Sequence, residues 1–149
     1  MQTIIEMHPI GIIHSPFNDP NQTPIQSARS DARGRVEIYK NYEAGLQDLE
    51  EFSHIYLLYL FHRSQGYSLL VKPFLDDQVH GLFTTRYPKR PNPIGISIVR
   101  LLERQSNMLE IEGVDVLDGT PLLDIKPYFP DFDHQVNVRV GWYAKRSRP

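Results

Sequence analysis

Short apolar runs and alternating apolar and polar positions recur along the chain and predict strands almost throughout. Ile10, Ile12 and Ile13 follow a turn or bulge at Pro9, and Val36 and Ile38 alternate with polar neighbours. His54 to Phe61, HIYLLYLF, is rich in aromatic and aliphatic residues and reads as a buried central strand, its length favouring a strand over a helix. Tyr67 to Val71, Leu82 to Thr85, Gly95 to Leu101, Met108 to Val114 and Val136 to Trp142 supply further strand candidates. One short surface helix is predicted, Tyr42 to Phe52, where Leu46 and Leu49 stand three apart and Asp48, Glu50 and Glu51 are left to solvent. Pro16 to Arg35 has little periodic apolar character and predicts a long loop.

This pattern defines a mainly β protein. No series of long crossover helices separates the strands, so a doubly wound parallel sheet is excluded in favour of a small β-barrel of six or seven strands, whose closure covers the strand edges. With no early GxGxxG and no P-loop, any nucleotide is held by a non-Rossmann site. Residues 1–149 read as a single domain with a flexible basic tail at 144–149, although Lys145, Arg146 and Arg148 could instead extend a basic patch.

Composition narrows the chemistry. The chain has 149 residues and no Cys, which removes disulfides, thiolate zinc ligands and thiol nucleophiles together. The six histidines form no HExxH or other familiar ligand spacing, so no metal is expected. The first residues resemble no signal peptide and no apolar run is long enough to cross a bilayer, which makes the cytoplasm the expected location. The net charge of -2 argues against a generally basic coat, yet the signs are unevenly placed. Thr84 to Arg104 carries five positive residues and one negative, Gln105 to His134 seven carboxylates against Lys126 alone, and Gln135 to Pro149 four positive residues and no carboxylate. A polyanion could bind a basic face of this kind; solvated strand and loop surfaces are the alternative.

Two segments stand out. Arg86 to Gly95, RYPKRPNPIG, places three prolines among three basic side chains just before a strand. Each Pro fixes its own φ and restricts its predecessor, so the loop is stiff; it either presents Arg86 or Arg90 to an anion or an adenine edge, or is a rigid turn with surface charges and Asn92 as a backbone cap. Asp115 to Tyr128, DVLDGTPLLDIKPY, holds a tight Asp-Gly turn. Asp118 and Thr120 either satisfy that turn or serve a ligand, Asp115 and Asp124 either neutralise Arg or Lys or face a substrate, and Asp124, Lys126 and Tyr128 alternate along one face of an extended segment.

Together with Ser15-Pro16-Phe17, Pro24-Ile25-Gln26, Ser53-His54-Ile55 and Phe61-His62-Arg63, these two segments resemble the TrmO/TsaA/YaeB family of tRNA methyltransferases, from about Ile10 to Tyr128. The resemblance implies a dimeric β-barrel enzyme that uses S-adenosyl-L-methionine to methylate N6 of N6-threonylcarbamoyladenosine at tRNA position 37. It assigns cofactor binding to Pro24, Ile25 and Gln26, to His62 and Arg63, to Arg86 and Ile96, and to Leu117, Asp118, Gly119 and Thr120. Two positions depart from the family pattern: Ile25 stands where Arg is common, and Tyr87 where Ser is common.

Methyl transfer needs donor sulfur, methyl carbon and acceptor nitrogen in line, and orientation alone can lower the barrier by roughly 7–11 kcal/mol. The proton on N6 must also leave. Asp118 or Asp124 could accept it, with pairing of either to Lys126 as the competing role, so Asp118, Asp124, Lys126 and Tyr128 are the candidate reaction-side residues. Lys89, Arg90, Asn92 and Lys126 are candidates for positioning the tRNA anticodon loop, with Tyr128 stacking on a base. The C-terminus is short beside relatives that carry an extended C-terminal part, so a partner subunit is expected to supply RNA-binding surface. The competing functions are a non-catalytic RNA-binding barrel and a methyltransferase acting on another RNA base or a small molecule. On this reading the proline-stiffened loop and the Asp-Gly turn meet around the sulfonium.

Overall fold

A computed structural model describes residues 3–22 and 30–145. Within them the chain forms two compact units: one from the N-terminus to His62 with Ile94–Tyr128, the other from Arg63 to Pro93 with the segment that begins at Phe129.

The first unit is a closed antiparallel barrel of six strands. Its members are β1 (Gly11–His14), β2 (Arg33–Ile38), β3 (His54–Leu60), β6 (Ile94–Gln105), β7 (Met108–Glu112) and β8 (Thr120–Pro127), in the order β1-β2-β7-β6-β3-β8 with β8 returning to β1. Closure leaves the barrel no unpaired edge, the outcome the apolar alternation predicts. Inward positions such as Ile13, Val36, Ile55, Leu57, Leu109 and Leu122 are almost wholly buried, and each alternates with an outward neighbour. Burying such a side chain contributes about 1.5–3 kcal/mol, so this interior stabilises the barrel without disulfides.

Two glycines are dictated by close approach. A Cβ on Gly11 would lie 2.1 Å from the Glu37 carbonyl oxygen, and one on Gly95 would lie 2.3 Å from the Tyr59 ring. Tyr59 crosses the barrel interior above Gly95 to donate from its hydroxyl to Ser97 Oγ at 2.7 Å, because Ser97 spends its own proton on Asp115 Oδ1, also at 2.7 Å. The glycine of RPNPIG is therefore a packing requirement, and Asp115 is the acceptor at the end of a buried hydroxyl chain.

Several predicted elements take another form. Tyr42 to Phe52 is two 3-10 helices, Lys40–Leu46 and Leu49–Glu51, interrupted where Asp48 adopts φ 70°. Leu46 ends the first of these helices and Leu49 begins the second, and both side chains pack on the barrel core. Arg104 of β6 reaches Glu50 Oε1 at 2.9 Å, and this hydrogen bond holds the Glu50 carboxyl below its ordinary range. Met108 to Val114 stops as a strand at Glu112 because Gly113 turns to φ 99°.

In the second unit, Tyr67 to Val71 contributes only β4 (Leu70–Val71), paired with β5 (His80–Gly81). Leu82 to Thr85 is a 3-10 helix over Leu82–Thr84, where the hydroxyls of Thr84 and Thr85 donate to the carbonyls of Gly81 and Leu82 and so compete with strand pairing. Val136 to Trp142 forms no strand: Asn137 adopts φ 58°, and Gly141–Lys145 is a 3-10 helix that includes the first two residues of the expected tail. Trp142 anchors that helix by donating from Nε1 to Thr84 and stacking on His80. A four-residue α-helix, α1 (Pro130–Asp133), lies just beyond the barrel sequence. No described helix is long and apolar enough to cross a membrane.

Candidate functional site

The Asp-Gly turn is fixed to the barrel through β1 and the loop after it. Gly119 N–H donates to the Ile13 carbonyl at 2.9 Å, Asp118 N–H to the Phe17 carbonyl at 2.8 Å, and Ser15 Oγ to the Val116 carbonyl at 2.6 Å. Ser15 N–H in turn donates to Asp118 Oδ1 at 3.0 Å. Thr120, buried at the start of β8, closes the turn by donating from Oγ1 to the Leu117 carbonyl. The turn does not join two strands; a strand follows it on one side only. Gly119 holds φ +84°, and a Cβ built there would meet no described residue within 4 Å, so the turn is open on its Cα side while its N–H is committed to the Ile13 carbonyl.

Asp118 is shared between the turn and an open cleft of about 410 Å³, lined also by His14, Ser15, Arg33, Arg35 and Glu110. His14 lies between two carboxylates, with Nε2 3.0 Å from Glu37 Oε1 and Nδ1 3.6 Å from Asp118 Oδ1. Among the described residues, Asp118 Oδ2 has no hydrogen-bond partner and remains an available acceptor. The sequence alone does not single out His14, Arg33 or Arg35; their outward alternation on β1 and β2 was the available signal.

Further along β8, Asp124 and Lys126 do project from one face, as the alternation implies, and they pair: Lys126 Nζ stands 3.1 Å from Asp124 Oδ2. Asp124 Oδ1 accepts the Ile125 N–H, so both of its oxygens are engaged. Tyr128 packs against Tyr56 and His54 with ring centroids 5.8 and 6.4 Å away. In register across the sheet, Asp124 faces Leu58 of β3 and Leu58 faces Ile96 of β6. The barrel wall therefore carries Asp124, Lys126, Tyr128 and the outward-facing Ile96, while Asp118 belongs to the cleft beside β1 and β2.

His62 is an exposed residue of the barrel unit, whereas Arg63, Arg86, Lys89, Arg90 and Asn92 belong to the second unit. Arg90 is committed within that unit. Its guanidinium donates to the carbonyls of Thr85 at 3.0 Å and Tyr87 at 2.8 Å and lies 6.0 Å from the Phe83 ring centroid. These contacts match the rigid-turn reading of the proline loop and give Arg90 a structural task. Pro24, Ile25 and Gln26 lie outside the described residues.

A closed antiparallel barrel with a docked Asp-Gly turn defines a small all-β protein whose exposed polar groups sit on loops and outer walls. The model of the family described as tRNA-methyltransferase O N-terminal domain matches residues 12–134. A probable S-adenosyl-L-methionine-binding protein of Pyrococcus abyssi is 59% identical over 138 residues, covering 92% of this chain and 75% of that protein. Human tRNA (adenine(37)-N6)-methyltransferase is 38% identical over 138 residues, which are 87% of this chain and 31% of the human protein. The fold matches a crystal structure of TrmO with a TM-score of 0.80 and 39% identity, over 93% of this chain and 64% of that one. This chain belongs to the tRNA-methyltransferase O family. It spans less than two thirds of the solved TrmO chain and about a third of the human enzyme.

Proposed function

We propose that this protein is a cytoplasmic, homodimeric methyltransferase that uses S-adenosyl-L-methionine to methylate N6 of N6-threonylcarbamoyladenosine at position 37 of tRNA. The observation that carries the reading is the docked Leu117–Thr120 turn, which is open on the Cα side of Gly119 and directs the Asp118 carboxylate to a cleft. The residues present fit the cofactor. The outward Ile96, 46% exposed on the wall it shares with Asp124, suits an adenine face, and the Asp118 carboxylate, in its own cleft beside β1 and β2, suits a positive charge. Relatives named as S-adenosyl-L-methionine-binding proteins and as tRNA methyltransferases support the same assignment.

Bound S-adenosyl-L-methionine supplies an electrophilic methyl group on a sulfonium. The chain's own contribution is binding, orientation and removal of one proton. Leu117, Asp118, Gly119, Thr120 and Ile96 on the barrel unit hold the cofactor, with Pro24, Ile25, Gln26, His62, Arg63 and Arg86 completing the set. Asp118 accepts the N6 proton through Oδ2, the oxygen that lacks a partner, whereas the pairing of Asp124 with Lys126 leaves that couple to shape the substrate-side wall with Tyr128. Lys89 and Asn92 contribute to RNA positioning.

The test is incubation of the protein with S-adenosyl-L-methionine and matched tRNAs that carry or lack the threonylcarbamoyl group, followed by nucleoside mass spectrometry. A gain of one methyl on the modified adenosine alone is the expected result. Transfer to another base would assign a different RNA specificity, and tight RNA binding without transfer by folded, cofactor-binding protein would make this a binding barrel.

A further inference from the structure

The second unit contains a cleft of about 390 Å³, within the roughly 300–1,000 Å³ of ligand sites. Its walls include Gln65, Tyr67, Ser68, Lys72, Tyr87 and Lys89, with no carboxylate among the lining residues. Tyr67 and Tyr87 are 56% and 46% exposed, and among the described residues neither ring contacts another aromatic ring. Lys72 and Lys89 make no ion pair among the described residues. The Tyr87 wall is fixed from behind, since Arg90 donates to the Tyr87 carbonyl and the Tyr87 N–H donates to Thr85 Oγ1. Pro88 and Pro91 limit the loop further, so presenting Tyr87 and Lys89 costs little ordering entropy.

Two available aromatic faces, two unpaired cations and short polar side chains suit one kind of guest. Nucleobases stack on tyrosine, phosphates meet lysine, and amide and hydroxyl groups reach base edges. An acidic peptide would satisfy the lysines but leave both rings without a planar partner. We propose that this cleft binds an unpaired nucleotide of the RNA substrate, with its base on Tyr67 or Tyr87 and its phosphate at Lys72 and Lys89. The inference rests on the RNA-substrate reading and adds Gln65, Tyr67, Ser68, Lys72 and Tyr87 to the binding surface.

The test uses the full chain and a fluorescent anticodon stem-loop RNA carrying N6-threonylcarbamoyladenosine, titrated over a series of salt concentrations. Tyr67→Ala is expected to weaken binding roughly 5- to 150-fold, the range set by one base-aromatic stack. Tyr67→Phe keeps the ring and should retain affinity, and unaltered cofactor binding by Tyr67→Ala separates loss of the ring from loss of folding. Lys72→Ala should lower the magnitude of the log-affinity against log-salt slope by about 0.7, the share of one phosphate on a single strand, while Tyr67→Ala leaves the slope unchanged. S-adenosyl-L-methionine affinity should be unaltered in all three variants. Unchanged affinity and slope in variants of a protein that binds and methylates RNA would overturn the cleft assignment while the RNA reading stands. Absence of RNA binding by the unsubstituted protein would overturn both. Displacement of the RNA by polyglutamate at equal charge would assign the cleft to an acidic protein partner and refute the nucleotide.

Discussion

Asp118 and Asp124 have the same side chain and six residues of separation, yet their surroundings divide their roles. Asp124 spends one oxygen on the Ile125 N–H and the other on Lys126, while Asp118 spends Oδ1 on Ser15 and keeps Oδ2. An amide at Asp118 would still offer an oxygen to Ser15 but could not take up a proton at neutral pH. Asp118→Asn is therefore expected to leave thermal stability unchanged and to lower kcat by roughly 10²-fold or more, the low end of what a positioned base contributes. Asp118→Ala should also cost about 1 kcal/mol of unfolding free energy, because the Ser15 N–H loses its acceptor. Thermal melts and single-turnover methyl transfer separate the two effects. Equal kcat in Asp118→Asn and the unsubstituted enzyme would return proton removal to solvent.

At the scale of elements, the join between β3 and β6 explains part of the proline-rich motif. Gly95 sits opposite Tyr59 in the register, and the Tyr59 ring occupies the space a Cβ would need. Gly95→Ala must displace a ring that is itself tied to Ser97, so overpacking should cost roughly 1–3 kcal/mol in urea unfolding. Tyr59→Leu in the same chain removes the nearer of two clashes, the Phe61 ring carbon at 2.8 Å remaining. The double variant should then be more stable than the sum of the two single losses, a coupling expected for residues in contact. Strict additivity would show that the ring moves aside at no cost.

For the whole molecule, the two units differ in how well they bury apolar surface. The barrel strands share a continuous interior, with the exposed Ile4 and Ile5 lying ahead of them, whereas Phe74, Phe83, Phe132 and Val136 of the second unit are each more than 70% exposed. Isolated exposed apolar residues are ordinary, but four of this size in one small unit favour cover by a second copy of the chain. Sedimentation across a dilution series should show a dimer that dissociates as concentration falls, and Phe83→Asp with Phe132→Asp should shift it to monomer with the barrel's circular dichroism retained. A monomer at every concentration would sink the homodimer.

Inward and outward alternation is local information, written in residues two apart, and the sequence by itself therefore determined the strands around Ile13, Val36, Leu57, Val99 and Leu109 and the closed barrel they form. The RPNPIG and LDGTPLLDIKPY strings are local in the same way, and they carry the family resemblance. The weaker segments misled where backbone conformation outweighed side-chain pattern, as at Asn137, Gly113 and the hydroxyls of Thr84 and Thr85. Only the tertiary structure decided which chemical groups are free. Ser15 and Asp118 are 103 positions apart, Tyr59 and Ser97 are 38 apart, and Arg90 holds the Tyr87 carbonyl through Nη1. Hydrogen-bond partnership depends on which loops the barrel closure brings together, and no local periodicity encodes that choice.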